Sequence, residues 1–300
     1  MKKPSVHFIS LGCSKNLVDS EKLMKQFSAS GFKVFFDTKA DVAPIVVINT
    51  CGFIGDAKQE SIDMILSYCD LKEQGIIKEI YVMGCLSERY RKELQEEIPE
   101  VDGYYGKFDH NLLLEKLNKK YNSALCNERV LTTPNHYAYL KIAEGCNRAC
   151  SYCAIPIITG PYKSRSIEDI EDEVKYLVST GVKEFQVIAQ DLSFYGLDNY
   201  KRLALPELIK RLSDIKGVEW LRLHYAYPTQ FPYEILDVIK ERENVCNYLD
   251  LALQHSSDHM LKLMRRGITY DQTVQLLSEI RSAVPDICLR TTLMVGHPDE

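Results

Sequence analysis

Along the first third of the chain, short apolar runs alternate with amphipathic stretches. Val6-His7-Phe8-Ile9-Ser10-Leu11, Ile45-Val46-Val47-Ile48 and Glu79-Ile80-Tyr81-Val82-Met83 are rich in β-branched and aromatic residues and are bounded by Gly, Pro or Asn, the pattern of buried strands. Between them, Asp19 to Ser28 carries Leu23, Met24 and Phe27 at helical spacing, and Gln59 to Leu71 carries Ile62, Ile65, Leu66 and Cys69. Strand, helix, strand at this spacing predicts right-handed crossovers and a parallel sheet. Residues 1–125 are therefore expected to form an open parallel-sheet α/β domain.

Asn127, Thr132, Thr133, Pro134 and Asn135 cluster within residues 126–136, which reads as a linker. A second alternating series follows. Its strand candidates are Tyr139 to Ile142, Glu184 to Ala189, Trp220 to His224, Tyr248 to Leu253 and Cys288 to Val295, and its helix candidates are Ile167 to Ser179, Leu205 to Ile215, Tyr233 to Glu241 and Tyr270 to Ala283. Five βα-like units over residues 137–300 are too few for a closed eight-stranded barrel of about 250 residues, so a partial (β/α) barrel is expected. The sequence stops at Gly296-His297-Pro298-Asp299-Glu300 with no helix to cover the last strand, and a barrel truncated at its C-terminus is the expectation.

With 45% hydrophobic and 26% charged residues among 300, the composition is that of a globular chain and excludes disordered and collagenous classes. Net charge is −5, from 37 basic and 42 acidic residues, so no overall basic footprint points to nucleic acid. No apolar run approaches the roughly 20 residues of a membrane helix, and the apolar stretch after Met1-Lys2-Lys3-Pro4 is too brief for a signal-peptide core. A cytoplasmic protein is expected. Ten cysteines in a long chain of that kind indicate metal or redox chemistry rather than a disulfide scaffold.

Cys146-Asn147-Arg148-Ala149-Cys150-Ser151-Tyr152-Cys153 places three thiols in eight residues, just after the first barrel strand and the Glu144-Gly145 turn. Such a CxxxCxxC loop can wrap one corner of an iron–sulfur cube, with successive thiolates reaching different irons. Three thiolates on four irons leave one iron open, by the logic that separates catalytic from closed metal sites. The plainer alternative is a zinc knot, which normally shows a second CxxC or histidines. No second CxxC exists, and His136, the nearest candidate, stands ten residues upstream across a strand.

Cys13, Cys51 and Cys85 each sit just past the carboxyl end of an expected parallel strand. Parallel strands deliver those ends to one edge, where open α/β sheets bind ligands. Any one of these thiols alone would be a small buried hydrophobe, but three in equivalent places point to a second cluster. Cys69, Cys126, Cys246 and Cys288 read as packing or surface residues, with Cys246 in a polar turn.

Leu11-Gly12-Cys13-Ser14-Lys15-Asn16-Leu17-Val18-Asp19-Ser20-Glu21, Asn49-Thr50-Cys51-Gly52-Phe53, Gly84-Cys85-Leu86 and Lys141 to Cys153 closely resemble the radical S-adenosylmethionine methylthiotransferases. Within that family, Ala189-Gln190-Asp191, Arg222 to Pro228 and Leu253-Gln254-His255 look like the RimO branch, which methylthiolates an aspartate β-carbon of ribosomal protein S-12. The resemblance covers essentially the whole chain. It implies two 4Fe-4S clusters, one on Cys13, Cys51 and Cys85 and the other on Cys146, Cys150 and Cys153, with S-adenosyl-L-methionine as second cofactor. It also implies an electron donor such as flavodoxin or ferredoxin, a sulfur donor, and a C-terminal TRAM domain, absent from this chain, that grips substrate and supplies any RNA contact. The family usually has Gly-Phe-Pro-Gly-Glu where Gly296-His297-Pro298-Asp299-Glu300 stands here.

Breaking an unactivated C–H bond lies beyond any side-chain base near neutral pH, and cofactors carry such chemistry while the protein positions and shields. Cofactor contacts are expected at the carboxyl ends of barrel strands, from Gln190 and Asp191 at the methionine end and Gln254 on the ribose side. Lys163 and Arg165, just past the loop, are candidates for a carboxylate. Two rivals remain. One is the same chemistry on a tRNA adenosine, disfavoured by the net charge and the Lys15-to-Glu21 stretch. The other is a non-catalytic iron–sulfur electron-transfer or binding module, disfavoured because electron-transfer clusters normally have four cysteine ligands.

Overall fold

The computed structural model describes residues 3–37 and 43–300. The chain divides into two compact units, one running to Thr132 with Ile157–Thr159, the other Thr133–Pro156 and Gly160–Glu300. The first unit contains β1 (Ser5–Ser10), α1 (Ser14–Ala29), β2 (Lys33–Phe36), β3 (Ile45–Thr50), α2 (Gly55–Glu73), β4 (Glu79–Gly84), α3 (Cys85–Glu97), β5 (Gly103–Tyr104) and α4 (His110–Lys116). Its sheet runs β2-β1-β3-β4-β5 with every pair parallel. The strands read as unbroken apolar runs because both faces are buried. Val46, Ile48, Ile80 and Val82 pack with Ile65, Leu86 and Leu94, while Val6, Phe8, Val47 and Tyr81 pack with Leu23, Met24, Phe27 and Leu113.

Strand order reverses direction between β1 and β3, and the carboxyl ends of strands at such a switch point are where open α/β sheets bind ligands. Cys13 follows β1, Cys51 follows β3, and Cys85 opens α3 directly after β4. Helix α3 was not expected from the pattern. Its sequence is strongly polar, its buried residues are Cys85, Leu86, Ser87 and Leu94, and Tyr90 breaks its geometry with φ −127 and ψ 31. The edge strands β2 and β5 were missed too, being short and, in β2, mostly half-exposed.

The second unit contains β6 (Tyr137–Lys141), β7 (Ala143–Glu144), α5 (Ile155–Thr159, shared with the first unit), β8 (Lys163–Ser164), α6 (Ile167–Ser179), β9 (Glu184–Ile188), α7 (Leu205–Ser213), β10 (Trp220–Ala226), α8 (Glu234–Glu241), β11 (Val245–Leu251), α9 (Asp258–Leu263), α10 (Tyr270–Ala283) and β12 (Cys288–Arg290). Its sheet runs β12-β11-β10-β9-β6, all parallel. Each long strand joins the edge left by its predecessor, which is the winding of a (β/α) barrel left open at five strands. Alternate residues Leu140, Phe185, Val187, Leu221, Leu223 and Leu249 are buried, and α6 and α7 contribute Ile170, Val174, Leu177, Leu208 and Leu212 to the core.

Helices α6 and α10 have the expected bounds because both carry N-terminal caps. Ser166 accepts from Asp169 N, and Thr269 forms a capping box with Gln272. Three expectations change. Cys246 lies inside β11 rather than in a turn, and the last strand ends at Arg290, continuing only as an isolated Gln254–Leu293 bridge. Within the stretch 126–136, Arg129 and Thr132 are bound to Glu21 of α1. The guanidinium donates at 3.0 Å, and Thr132 donates through both N and Oγ1 at 2.9 Å. Among the described residues no helix is long and apolar enough to cross a membrane.

Candidate metal centres and cofactor contacts

In the first unit the loops after β1, β3 and β4 lie against one another. A Cβ on Gly12 (φ +88) would stand 2.7 Å from Cys51 Cβ and 2.9 Å from its sulfur, and one on Gly52 would stand 2.8 Å from the Leu86 backbone. Asn16, on the first turn of α1, ties the three loops together. Its amide donates to Thr50 O at 2.9 Å and Leu11 O at 3.2 Å, and its Oδ1 accepts from Cys85 Sγ at 3.5 Å. Asn49 donates to Asn16 O and Ser20 Oγ, and Ser61 Oγ bridges the N and O of Cys51 at 3.1 Å.

Cys51 and Cys85 are buried, whereas Cys13 is exposed. Burial pushes Cys85 up to about 12, Lys107 opposes this, and charge on Cys13 or Cys51 adds to it. Burial likewise raises Cys51, with Cys13 contributing in the same direction. Metal ligation requires the thiolate, so a metal bound here would displace the protons that burial favours on Cys51 and Cys85. Lys107, 3% exposed and 3.6 Å from Asp19, supplies positive charge to the site. Asn49 Oδ1 and Ser87 Oγ are buried without a hydrogen-bond partner.

In the second unit the 146–153 loop follows β6 and the two-residue β7, which pairs antiparallel with β8, and hydrogen bonds fasten it along its length. Gly145 (φ +79) admits no side chain, since a Cβ would stand 2.1 Å from Pro161 O. Cys146 N donates to Gly160 O, Ser151 N to Met264 O, and Tyr162 N to Asn147 Oδ1. Arg148 reaches from the loop to Asp191 (2.8 Å), to Thr229 Oγ1 (3.0 Å) and to Gln230 Oε1 (3.1 Å), and it stacks 4.2 Å from the Tyr227 ring centroid. The Tyr227 hydroxyl lies 3.5 Å from Cys150 Sγ. Burial pushes the Cys146 thiol up to about 11 and also raises Cys153, with the neighbouring thiols adding to both.

Among the described residues no three His, Cys, Asp or Glu side chains converge on a point where one metal ion would sit. A four-iron cube asks each thiolate for its own iron, so the donor chemistry of both triplets fits a cube without that convergence. His136 lies at the opposite end of β6 from Cys146, about 16 Å of strand away, and is not placed to complete a tetrahedron.

Gln190 and Gln254 stand past the carboxyl ends of β9 and β11, and each has a buried Oε1 with no hydrogen-bond partner. Gln190 Nε2 donates to Glu144 at 2.9 Å, while Gln254 adopts φ +72. An unpartnered buried acceptor is costly, and these two fit the polar contacts of a small molecule. Asp191 differs. It is 1% exposed, and its carboxylate is committed to Arg148 and, at 2.8 Å, to Ser193 N; burial raises its pKa and Arg148 draws it back. Arg165, expected as a carboxylate binder, is committed to Asp169 at 2.7 Å and buried Glu173 at 2.6 Å, whereas Lys163 is exposed. Arg148, Tyr227, Arg266 and Asn16 escaped the sequence reading as site residues because their signal is contact across loops far apart in the chain.

Residues 5–106 match the model of a family described as uncharacterized protein family UPF0004, and residues 140–300 match the radical SAM superfamily. Over 300 residues the chain is 62% identical to the ribosomal protein uS12 methylthiotransferase RimO of Parabacteroides distasonis and 61% identical to that of Bacteroides thetaiotaomicron, covering all of this chain and 69% of each relative. The Cytophaga hutchinsonii protein of the same name is 52% identical over 299 residues, with 68% of it covered. Among solved structures, the cobalamin-dependent radical enzyme OxsB with aqua-cobalamin and S-adenosylmethionine bound superposes with a TM-score of 0.68 at 13% identity, over 98% of this chain and 49% of that one. The radical methyltransferase TsrM from Kitasatospora setae, with cobalamin and a [4Fe-4S] cluster bound, gives 0.68 at 14%, over 100% and 71%. These two share the fold. The chain belongs to the RimO family of ribosomal protein uS12 methylthiotransferases, within the radical S-adenosylmethionine superfamily.

Proposed function

We propose that this chain carries two 4Fe-4S clusters, one on Cys13, Cys51 and Cys85 and one on Cys146, Cys150 and Cys153, and that with S-adenosyl-L-methionine it adds a methylthio group to the β-carbon of an aspartate in ribosomal protein S-12. The observation that carries this reading is that Cys13, Cys51 and Cys85 stand just past the carboxyl ends of three parallel strands and that Cys146, Cys150 and Cys153 share one loop beyond β6 and β7, each set on loops fastened by side-chain hydrogen bonds. Bound there, the clusters and S-adenosylmethionine would supply the one-electron chemistry that breaks an unactivated C–H bond and the sulfur that replaces the hydrogen. The division of labour follows the two units, with residues 1–125 as the sulfur-bearing domain, 126–136 as the connection and 137–300 as the radical domain.

The residues of this chain bind, orient and shield. Six cysteines hold the clusters as thiolates, giving up their protons on loading. Gln190 and Gln254 hold the polar atoms of S-adenosylmethionine through their unpartnered carbonyls. Asp191 fixes Arg148 and thereby the loop on which Cys146 and Cys150 ride. An external one-electron donor of the flavodoxin or ferredoxin kind and a sulfur donor complete the cycle.

The test is iron and sulfide stoichiometry after anaerobic reconstitution, read by Mössbauer spectroscopy, with and without simultaneous replacement of Cys146, Cys150 and Cys153 by Ala. A fall from about eight irons to about four supports two independent clusters, and a fall from about four to none removes the N-terminal one. Mass spectrometry then distinguishes a methylthio gain on an S-12 peptide from one on tRNA.

A further inference from the structure

A guanidinium in a protein interior normally has a carboxylate beside it. Arg266 departs from this. It is 3% exposed, and its hydrogen-bond partners are Cys150 Sγ at 3.4 Å, the Tyr152 hydroxyl at 3.2 Å and the Ala252 carbonyl, with no carboxylate among them. Its Nε is buried with no partner at all. The guanidinium carbon lies 3.9 Å from the Tyr227 ring centroid, so the charge is held by a π face. The backbone is held as firmly. Arg266 N donates to Leu261 O at 2.9 Å, and the Tyr227 hydroxyl donates to Arg266 O at 3.0 Å. Arg148 stacks on the same tyrosine, but its charge is matched by Asp191. Arg266 thus places an unmatched positive charge against the sulfur of Cys150.

We propose that Arg266 is a positioning residue for electron entry: its charge sets the reduction potential of the cluster on Cys146, Cys150 and Cys153 by stabilising the reduced form. The proposal rests on the assignment of those three cysteines as cluster ligands. Reduction takes one electron from the external low-potential donor, makes and breaks no bond, and leaves the cluster and its three thiolates with one more negative charge. Net charge and hydrogen bonds to sulfur are what tune such potentials, and a buried cation acts more strongly on a neighbouring charge than one in bulk water. Without Arg266 the added electron would enter a site whose other nearby cation, Arg148, is already paired.

The experiment uses the full chain with Cys13, Cys51 and Cys85 replaced by Ala, so that one cluster is observed, and compares Arg266 with Arg266→Lys and Arg266→Gln. Iron content is measured first, followed by a redox titration of the reduced cluster by electron paramagnetic resonance. At the potential where the Arg266 protein is half reduced, Arg266→Gln is expected to show a reduced-to-oxidised ratio at least tenfold lower, equivalent to a midpoint about 59 mV more negative for one electron. Arg266→Lys, which keeps the charge, is expected to stay close to the Arg266 protein. Equal midpoints for Gln and Arg, or equal displacement of Lys and Gln, would overturn the proposal, as would loss of iron in Arg266→Gln alone, which would make the residue part of the loop's scaffold. Absence of iron already in the Arg266 protein would instead remove the ligand assignment beneath it.

Discussion

Asn16 is 1% exposed and commits its whole side-chain amide to its neighbours. Asn16→Ala would leave Thr50 O without that donor in a buried place, a loss of about 1–3 kcal/mol, to be read as a lower urea midpoint. Gly84 makes the sharper demand. Its φ is +100, and a Cβ there would meet Asn49 Oδ1 at 2.2 Å and Thr50 O at 2.6 Å, so Gly84→Ala is expected to destabilise by more than about 1 kcal/mol and to displace Cys85 beside it. His7 supplies a pH dependence. Both its ring nitrogens are buried without a hydrogen-bond partner, and burial lowers its pKa from 6.5, opposed by Asp37. As pH falls the unfolded chain therefore takes the proton first. Stability is full above 6.5 and is lost as pH drops toward the folded value, by up to about 1.4 kcal/mol per pH unit for one site. His7→Leu is expected to flatten that slope in urea midpoints taken at about pH 7.5 and about pH 5.5.

Helix α1 serves the site from both of its faces. One presents Asn16 and Ser20 to the loops after β1 and β3, and Glu21 receives Arg129 and Thr132, more than a hundred residues later in the chain. Both partners of the Glu21–Arg129 pair are almost fully buried. Arg129→Met is expected to cost about 3–5 kcal/mol, because it takes the cation away from a buried carboxylate, and pairing it with Glu21→Gln should recover part of the loss. Denaturant midpoints of the two singles and the double would measure this. A cap contributes less. Thr269→Ala at the start of α10 removes a capping box and should cost about 1 kcal/mol, visible as a lower midpoint with the iron content unchanged.

At the scale of the whole molecule, two different sheet windings bring cysteines to the carboxyl ends of strands. The first reverses order between β1 and β3 and brings three loops together, while the second adds each strand at one edge and presents its loops in series. The separate tasks proposed for them give a separable outcome. Replacing Cys13, Cys51 and Cys85 together should leave S-adenosylmethionine binding intact in equilibrium dialysis while abolishing methylthiolated S-12 product. Replacing Cys146, Cys150 and Cys153 should abolish both. Loss of cofactor binding in the first variant would contradict the assignment.

Much of this was legible in the sequence, for identifiable reasons. Hydrophobic periodicity is local, so the long strands of both sheets and the capped helices α6 and α10 could be read with nearly their observed bounds. The CxxxCxxC loop is equally local. Cys13, Cys51 and Cys85 could be grouped because parallel crossovers force every strand's carboxyl end to one edge. Polar helix α3, two-residue β5 and the two-residue strands β7 and β8 carry too little periodicity to be seen. Only the tertiary structure decided that Asp191 faces Arg148, that Arg165 is occupied by Glu173, and that Gln190 and Gln254 keep buried acceptors free. It alone placed Arg266 against Cys150, 116 residues apart. A side chain's partner across such a separation depends on how the loops pack, and local spacing along the chain carries no signal of that.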